Sequence, residues 1–159
     1  MNAGLLPADR FTASYSIWGV KLNVDRLLAE SPPRAAYETW RRGDPNPLGG
    51  GCITSGLSIE LFRGWSSADL HHAIRRFLKV DGAFLRAALR RMRGGTVSQL
   101  AATVFVGVDE ELPAGLELPP GLLSSVAAAG LSWNVSAWVW RSEEREAPSN
   151  NKMQQTRPG

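Results

Sequence analysis

The sequence predicts an α+β domain, a two-layer sandwich of which an elaborated ferredoxin-like unit is one form. Three observations predict it. Segments at 11–20, 57–63 and 131–140 alternate apolar and polar residues with the period of half-buried strands. Segments with helical spacing of their apolar residues fall between them. The order that results, β-α-β-β-α-α-β-α-β, supplies helices for one face of a sheet. No repeat of 20–50 residues is visible, which argues against a solenoid.

Each element has its own signal. In 11–20, Phe11, Ala13, Tyr15 and Ile17 share one side and Thr12, Ser14, Ser16 and Trp18 the other. Asn23 is the expected N-cap of a short helix, VDRLLAE, which Pro32-Pro33 stop. A short strand is expected over 35–41, then a long flexible loop over 43–56, GDPNPLGGGCITSG, on composition. In 57–63, Leu57, Ile59 and Leu61 alternate with Ser58, Glu60 and Phe62.

Ser66-x-x-Asp69 reads as a capping box for a helix over 67–79, with Leu70, Ile74, Phe77 and Leu78 as its apolar stripe. Asp81-Gly82 breaks it. A second helix follows with Phe84, Leu85, Ala88, Leu89 and Met92 inward, ended by Gly94-Gly95. Residues 99–108 form an apolar strand, 121–129 a helix of small residues closed by Gly130. The last strand sets Leu131, Trp133, Val135, Ala137 and Val139 against Ser132, Asn134, Ser136, Trp138 and Trp140.

The chain has 159 residues, 43% of them hydrophobic, enough for one domain with its own core. The expected bounds are an N-terminal arm over 1–10, a single domain over 11–141 and a disordered tail over the polar stretch 142–159. The start, MNAGLLPADRF, has neither the basic nor the apolar region of a signal peptide, and no run is long enough to span a bilayer. A cytoplasmic protein is therefore expected. The lone Cys52 excludes an intrachain disulfide.

Several chemistries are disfavoured. Adjacent His71 and His72 project about 100° apart on a helix, and no HExxH or CxxC accompanies them. Cys52 has no supporting nucleophile signature, and Gly49-Gly50-Gly51 lacks the Gly-Lys-Ser/Thr ending of a phosphate loop. No catalytic residue, metal or cofactor is expected.

The formal charge of +3 hides a local imbalance. Among 18 basic residues only Lys21, Lys79 and Lys152 are lysines. Over 70–93, Arg75, Arg76, Lys79, Arg86, Arg90, Arg91 and Arg93 stand against Asp81 alone. Arg75, Arg76, Arg86, Arg90 and Arg93 are candidate partner-binding residues; the alternatives are ordinary solvated helix faces or a phosphate footprint. Asp109, Glu110, Glu111 and Glu117 could pair with that face, and no nucleic-acid motif is present, so a nucleic-acid partner is disfavoured. Six tryptophans exceed what the core requires. Trp18, Trp138 and Trp140 would form an indole cluster if their strands were neighbours, serving as a second core layer, a dimer face or a ligand-binding wall.

From Phe11 to about Trp140 a series of motifs recurs in a known pattern. It comprises the strand FTASYSIWG, the helix NVDRLLAE with its proline step, Arg41-Arg42-Gly43-Asp44, LFRGW, the helix ADLHHAIRRFL and the strand GLSWNVSAW over 130–138. In these the chain resembles the bacterial domain-of-unknown-function family 4279, small standalone proteins. The resemblance implies a compact α+β domain, no established activity and no catalytic residue to carry over. The triple glycine makes the loop at 49–51 longer than that pattern. The stretch from Asn151 to Pro158 resembles tails translated from a genomic repeat or mobile-cassette boundary, which implies a mobile gene.

The function expected is that of a non-enzymatic interaction domain of immunity or accessory type, with a protein partner or a homodimer. A small-ligand-binding domain on the Trp face is the alternative, and a weak nucleic-acid binder through 70–93 the second.

Overall fold

The computed structural model describes residues 10–92, 94–107 and 118–140. The chain runs β1 (Phe11–Gly19), α1 (Val24–Glu30), β2 (Glu38–Trp40), β3 (Ser55–Gly64), α2 (Ser67–Val80), α3 (Gly82–Arg91), β4 (Thr96–Gly107), α4 (Pro120–Ala128) and β5 (Ser132–Trp140), in the expected order. The described strands form one sheet, β2-β3-β1-β4-β5. β1 lies antiparallel between β3 and β4, β2 is antiparallel to β3, and β5 is parallel to β4. The first four strands thus have ferredoxin-like order, and β5 is an addition at the β4 edge. A parallel neighbour needs a crossover, which contains α4. The expected arm over 1–10 (Arg10 apart), the tail over 142–159 and the acidic connector lie outside the described residues.

The alternation in β1 is obeyed along its length: Phe11, Ala13, Tyr15, Ile17 and Gly19 are buried, the residues between them half-buried. The buried set joins Val24 and Leu27 of α1, Leu70, Ile74 and Phe77 of α2, Phe84, Leu85, Ala87 and Ala88 of α3, and Leu122 and Val126 of α4 in one core. Among the described residues, helices therefore cover one face of the sheet and leave the other bare. At the centre Tyr15 packs against Phe77 and edge-on against Phe84, ring centroids 5.2 and 5.8 Å away. Its hydroxyl shares a hydrogen bond of 3.0 Å with Ser98.

The helix caps follow the sequence. Asn23 Oδ1 accepts from the Arg26 N–H at 2.8 Å and Ser66 Oγ from the Asp69 N–H at 3.3 Å. Gly130, just past α4, has φ +66°, and a Cβ there would stand 2.5 Å from Leu89 Cδ2, so both conformation and space require glycine.

Four local expectations change. The strand over 35–41 contracts to Glu38–Trp40, because Pro32-Pro33 and the turn at Gly43 leave little extended chain to pair. β4 begins at Thr96, three residues before the apolar run; polar Ser98 faces the core because Tyr15 supplies its partner. A bulge between Ala13 and Ser14 of the β1–β3 ladder brings Phe62 opposite Ala13, so Phe62 packs with Leu61 on the core. The loop over 43–56, expected to be flexible, closes on itself. Gly43 N–H donates to Cys52 O and Cys52 N–H to Asp44 O, both at 2.8 Å, and Asn46 N–H to Gly50 O at 2.9 Å. Positive φ at Gly43, Gly49 and Gly50 makes that path possible.

Burial pushes the Tyr15 phenol up to about 12 from 10.0, the Ser98 hydrogen bond offsetting part of the rise. The unfolded chain therefore ionises this group first, and stability present below pH 10 should be lost as pH rises toward 12. Tyr15→Phe should flatten that alkaline limb in urea titrations. At neutral pH it should cost about 1–2 kcal/mol by leaving the Ser98 hydroxyl without its partner, a cost that adding Ser98→Ala reduces.

Candidate functional site

The helix-free sheet face carries Thr12, Ser14, Ser16 and Trp18 of β1, flanked in register by Ser58 and Glu60 of β3 and by Gln99, Ala101 and Thr103 of β4. Trp18 and Trp138 both belong to this face, but they do not form the expected cluster. β4 separates their strands, and Trp18 lies opposite Val97 while Trp138 lies opposite Phe105. At about 3.3 Å per residue those positions are roughly 26 Å apart along β4. The aromatic on Trp18's own row is Trp40: both stand opposite Gly56, and the Trp40 indole occupies the space a Cβ at Gly56 would need. Trp40 Nε1–H donates to Thr54 Oγ1 at 3.4 Å. The side chain of Trp140 lies outside the described part. A groove of about 480 Å³ on the bare face is lined by Thr12, Ser14, Tyr37, Glu38, Ser58 and the ion-paired Glu60 and Arg63 among others, a mixed polar lining where an indole wall was expected.

The arginine face is also divided. Arg75, Arg76 and Arg86 are exposed on α2 and α3. Arg90 is not available in the same way: its Nη2 donates to Glu30 Oε1 at 2.5 Å, and Arg91 Nη2 donates to the other oxygen of the same carboxylate. Glu30 ends α1, so the charge that offsets this face comes from a neighbouring helix. Arg93 and the connector acids lie outside the described residues. The two guanidiniums hold the Glu30 carboxyl below the usual carboxylate range, as Arg41 does for Asp25. Arg76 lines a cleft of about 430 Å³ between α2 and β3 together with Asp69, His72, Arg34 and Asp81, a mixed rather than basic rim. There Asp81, 5% exposed at the α2–α3 corner, accepts the Arg34 N–H at 2.6 Å.

A second, smaller cleft of about 260 Å³ was not legible as a unit in the sequence. Lys21, Leu22, Asn23, Arg26, Arg90 and Arg91 line it, so β1's exit, the start of α1 and the end of α3 bring four cations together. Among the described residues no group of three His, Cys, Asp or Glu could hold a metal ion, and no helix is long and apolar enough to cross a membrane. Cys52 is half-buried in the closed loop.

The remaining surface is defined by what it lacks. Residues 118–140 contain no Asp, Glu, Lys, Arg or His, and they fold together as α4 and β5 at one edge. Leu118, Leu122, Val126 and Leu131 enter the core and Trp133 is half-buried. From Asn134 to Trp138 every residue is exposed on both faces, Val135 to 40% and Trp138 to 63%, and Leu123 of α4 to 47%. Small or apolar uncharged residues thus cover the outward side of this edge.

No family model matches the chain, and no curated protein matches it.

The Glu30 carboxyl is lowered in the folded protein, so its contribution is present above its unfolded pKa and lost as pH falls through the folded value. Glu30→Gln should therefore show a shallower loss of thermal stability below about pH 4.5 than the unaltered chain. Half-molar salt should narrow the difference, because Glu30 and Arg90 are solvent-accessible.

Proposed function

We propose that this protein is a non-enzymatic domain of immunity or accessory type that acts in the cytoplasm through protein contacts, with the α4–β5 edge as its docking surface. One observation carries the reading: the uncharged stretch 118–140 forms a single exposed edge with Trp138 at its face. Depletion of charge and enrichment of aromatics mark the centres of protein interfaces, whereas ordinary exposed edges carry charge. The cassette-like sequence from Asn151 to Pro158 supports an accessory protein of a mobile gene. Pairing of Arg90 and Arg91 with Glu30 weakens the nucleic-acid alternative.

The test is affinity capture from the native host with the full chain as bait. Capture should be lost with Val135→Lys, which charges the edge, and retained with Arg75→Ala/Arg86→Ala. Capture that survives Val135→Lys but not the arginine changes would move the docking surface to α2 and α3.

A small-ligand reading is favoured by the cleft at the start of α1, where Lys21 and Arg26 would take an anionic group beside Arg90 and Arg91, which Glu30 already holds. Millimolar phosphate should then raise the melting temperature of the unaltered chain by a few degrees more than that of Arg26→Ala. An equal rise in both excludes this cleft as the site.

A further inference from the structure

Resting on the protein-contact reading of the α4–β5 edge, we infer that the partner of that edge is a second copy of this chain, joined β5 to β5 in antiparallel sense across a two-fold axis at Ser136.

The two edges of the sheet differ in kind. An edge strand offers a row of backbone donors and acceptors, and proteins that remain single blunt such edges with short strands, proline or charge. The β2 edge has all three: three residues, Pro32 and Pro33 before it, Pro45 and Pro47 after it, and Glu38 within it. β5 has none of them over nine residues. Among the described residues its outer side pairs with nothing.

What could pair there is limited by chemistry. A surface of ordinary charge content would have to desolvate its ions against a strip that offers no counter-charge, a cost without return. A second copy presents a strip that is itself uncharged and of equal length. A two-fold axis normal to the sheet makes the strands antiparallel, and an isologous contact closes with two chains.

The register follows from the length of β5. Ser132–Trp140 has nine residues, so pairing over its full length places Ser136 on the axis, opposite the partner's Ser136. Val135 then faces the partner's Ala137 on the helix side, and Trp138 faces the partner's Asn134 on the bare side. Parity is kept, because residues of each pair already share a face. The small side chains of Ser136 and Ala137 leave room at the axis. Each exposed indole gains a small polar neighbour across the strand, and the two bare faces become one continuous ten-stranded surface. An edge about 30 Å long and two layers deep covers roughly 600 Å² per chain, or 1,200 Å² in total, the lower bound for a stable association.

Sedimentation of the full chain over about 1–200 μM tests this, since area alone does not set affinity. The expected mass at the upper end is twice the 17.3 kDa of one chain. Ser136→Lys and Ser136→Glu each place like charges opposite one another and desolvate them without a counter-charge, and should each weaken self-association at least about tenfold, leaving single chains. Their circular dichroism should match that of the unaltered chain, and an equimolar mixture should restore the double mass as a mixed pair. A single-chain mass throughout the series overturns the inference, as does a dimer indifferent to both changes. Loss of the dimer without restoration on mixing removes the Ser136 axis. Should the unaltered chain stay single while Val135→Lys abolishes capture of a host protein, the second copy is wrong and the protein-contact reading stands.

Discussion

Tyr15 is the residue on which the rest of the architecture depends. It lies on the middle strand with no exposed surface, its ring set between Phe77 of α2 and Phe84 of α3, its hydroxyl held by Ser98 of β4. One side chain thus fixes both central helices and the neighbouring strand against β1. A buried hydroxyl without a partner is costly, so the phenol specifies one register of β4 where an apolar residue would tolerate several. That explains why β4 starts earlier than its apolar run: the polar residue that hides its start is the one Tyr15 requires.

With β1 fixed at the centre, chain order leaves two unequal edges. The hairpin returning through β2 is short and flanked by prolines, and its turn is closed by backbone hydrogen bonds in the loop 43–52. The other edge is built by the last crossover. Among the described residues a parallel strand added there is paired on one side only, and Leu131 and Trp133 pack on the core while Asn134–Trp138 stay open. The uncharged exposed edge is therefore a consequence of topology, since adding one βα unit to a four-stranded sheet moves the edge onto an uncharged sequence.

Electrostatics shape the helical face of the molecule. The arginines of α2 and α3 appear in sequence as one basic block, but α1 ends in Glu30, which takes Arg90 and Arg91 out of it. Arg76 turns toward a rim of mixed charge. What remains is a set of separate exposed cations and a small cleft in which Lys21 and Arg26 stand beside the paired Arg90 and Arg91, residues from distant stretches of chain. Neither the neutralisation nor the cleft has a linear signature, since pairing across helices depends on the angle at which they pack.

The sequence by itself determined the elements and their faces. Period-two alternation in 11–19, helical stripes through Leu70, Ile74 and Phe77, and caps at Asn23 and Ser66 are local effects of side-chain direction and backbone hydrogen bonding, and they are legible residue by residue. It also placed Trp18 and Trp138 on the same side of their strands. Tertiary structure alone decided that those indoles stand at opposite ends of the sheet, that Phe62 rejoins the core through a bulge, and that Trp40 covers Gly56. The reason is physical. A strand's own sequence sets which way each side chain faces, but its neighbours and register are set by long-range pairing. That pairing follows from how the helices pack over Tyr15, and no local pattern encodes it.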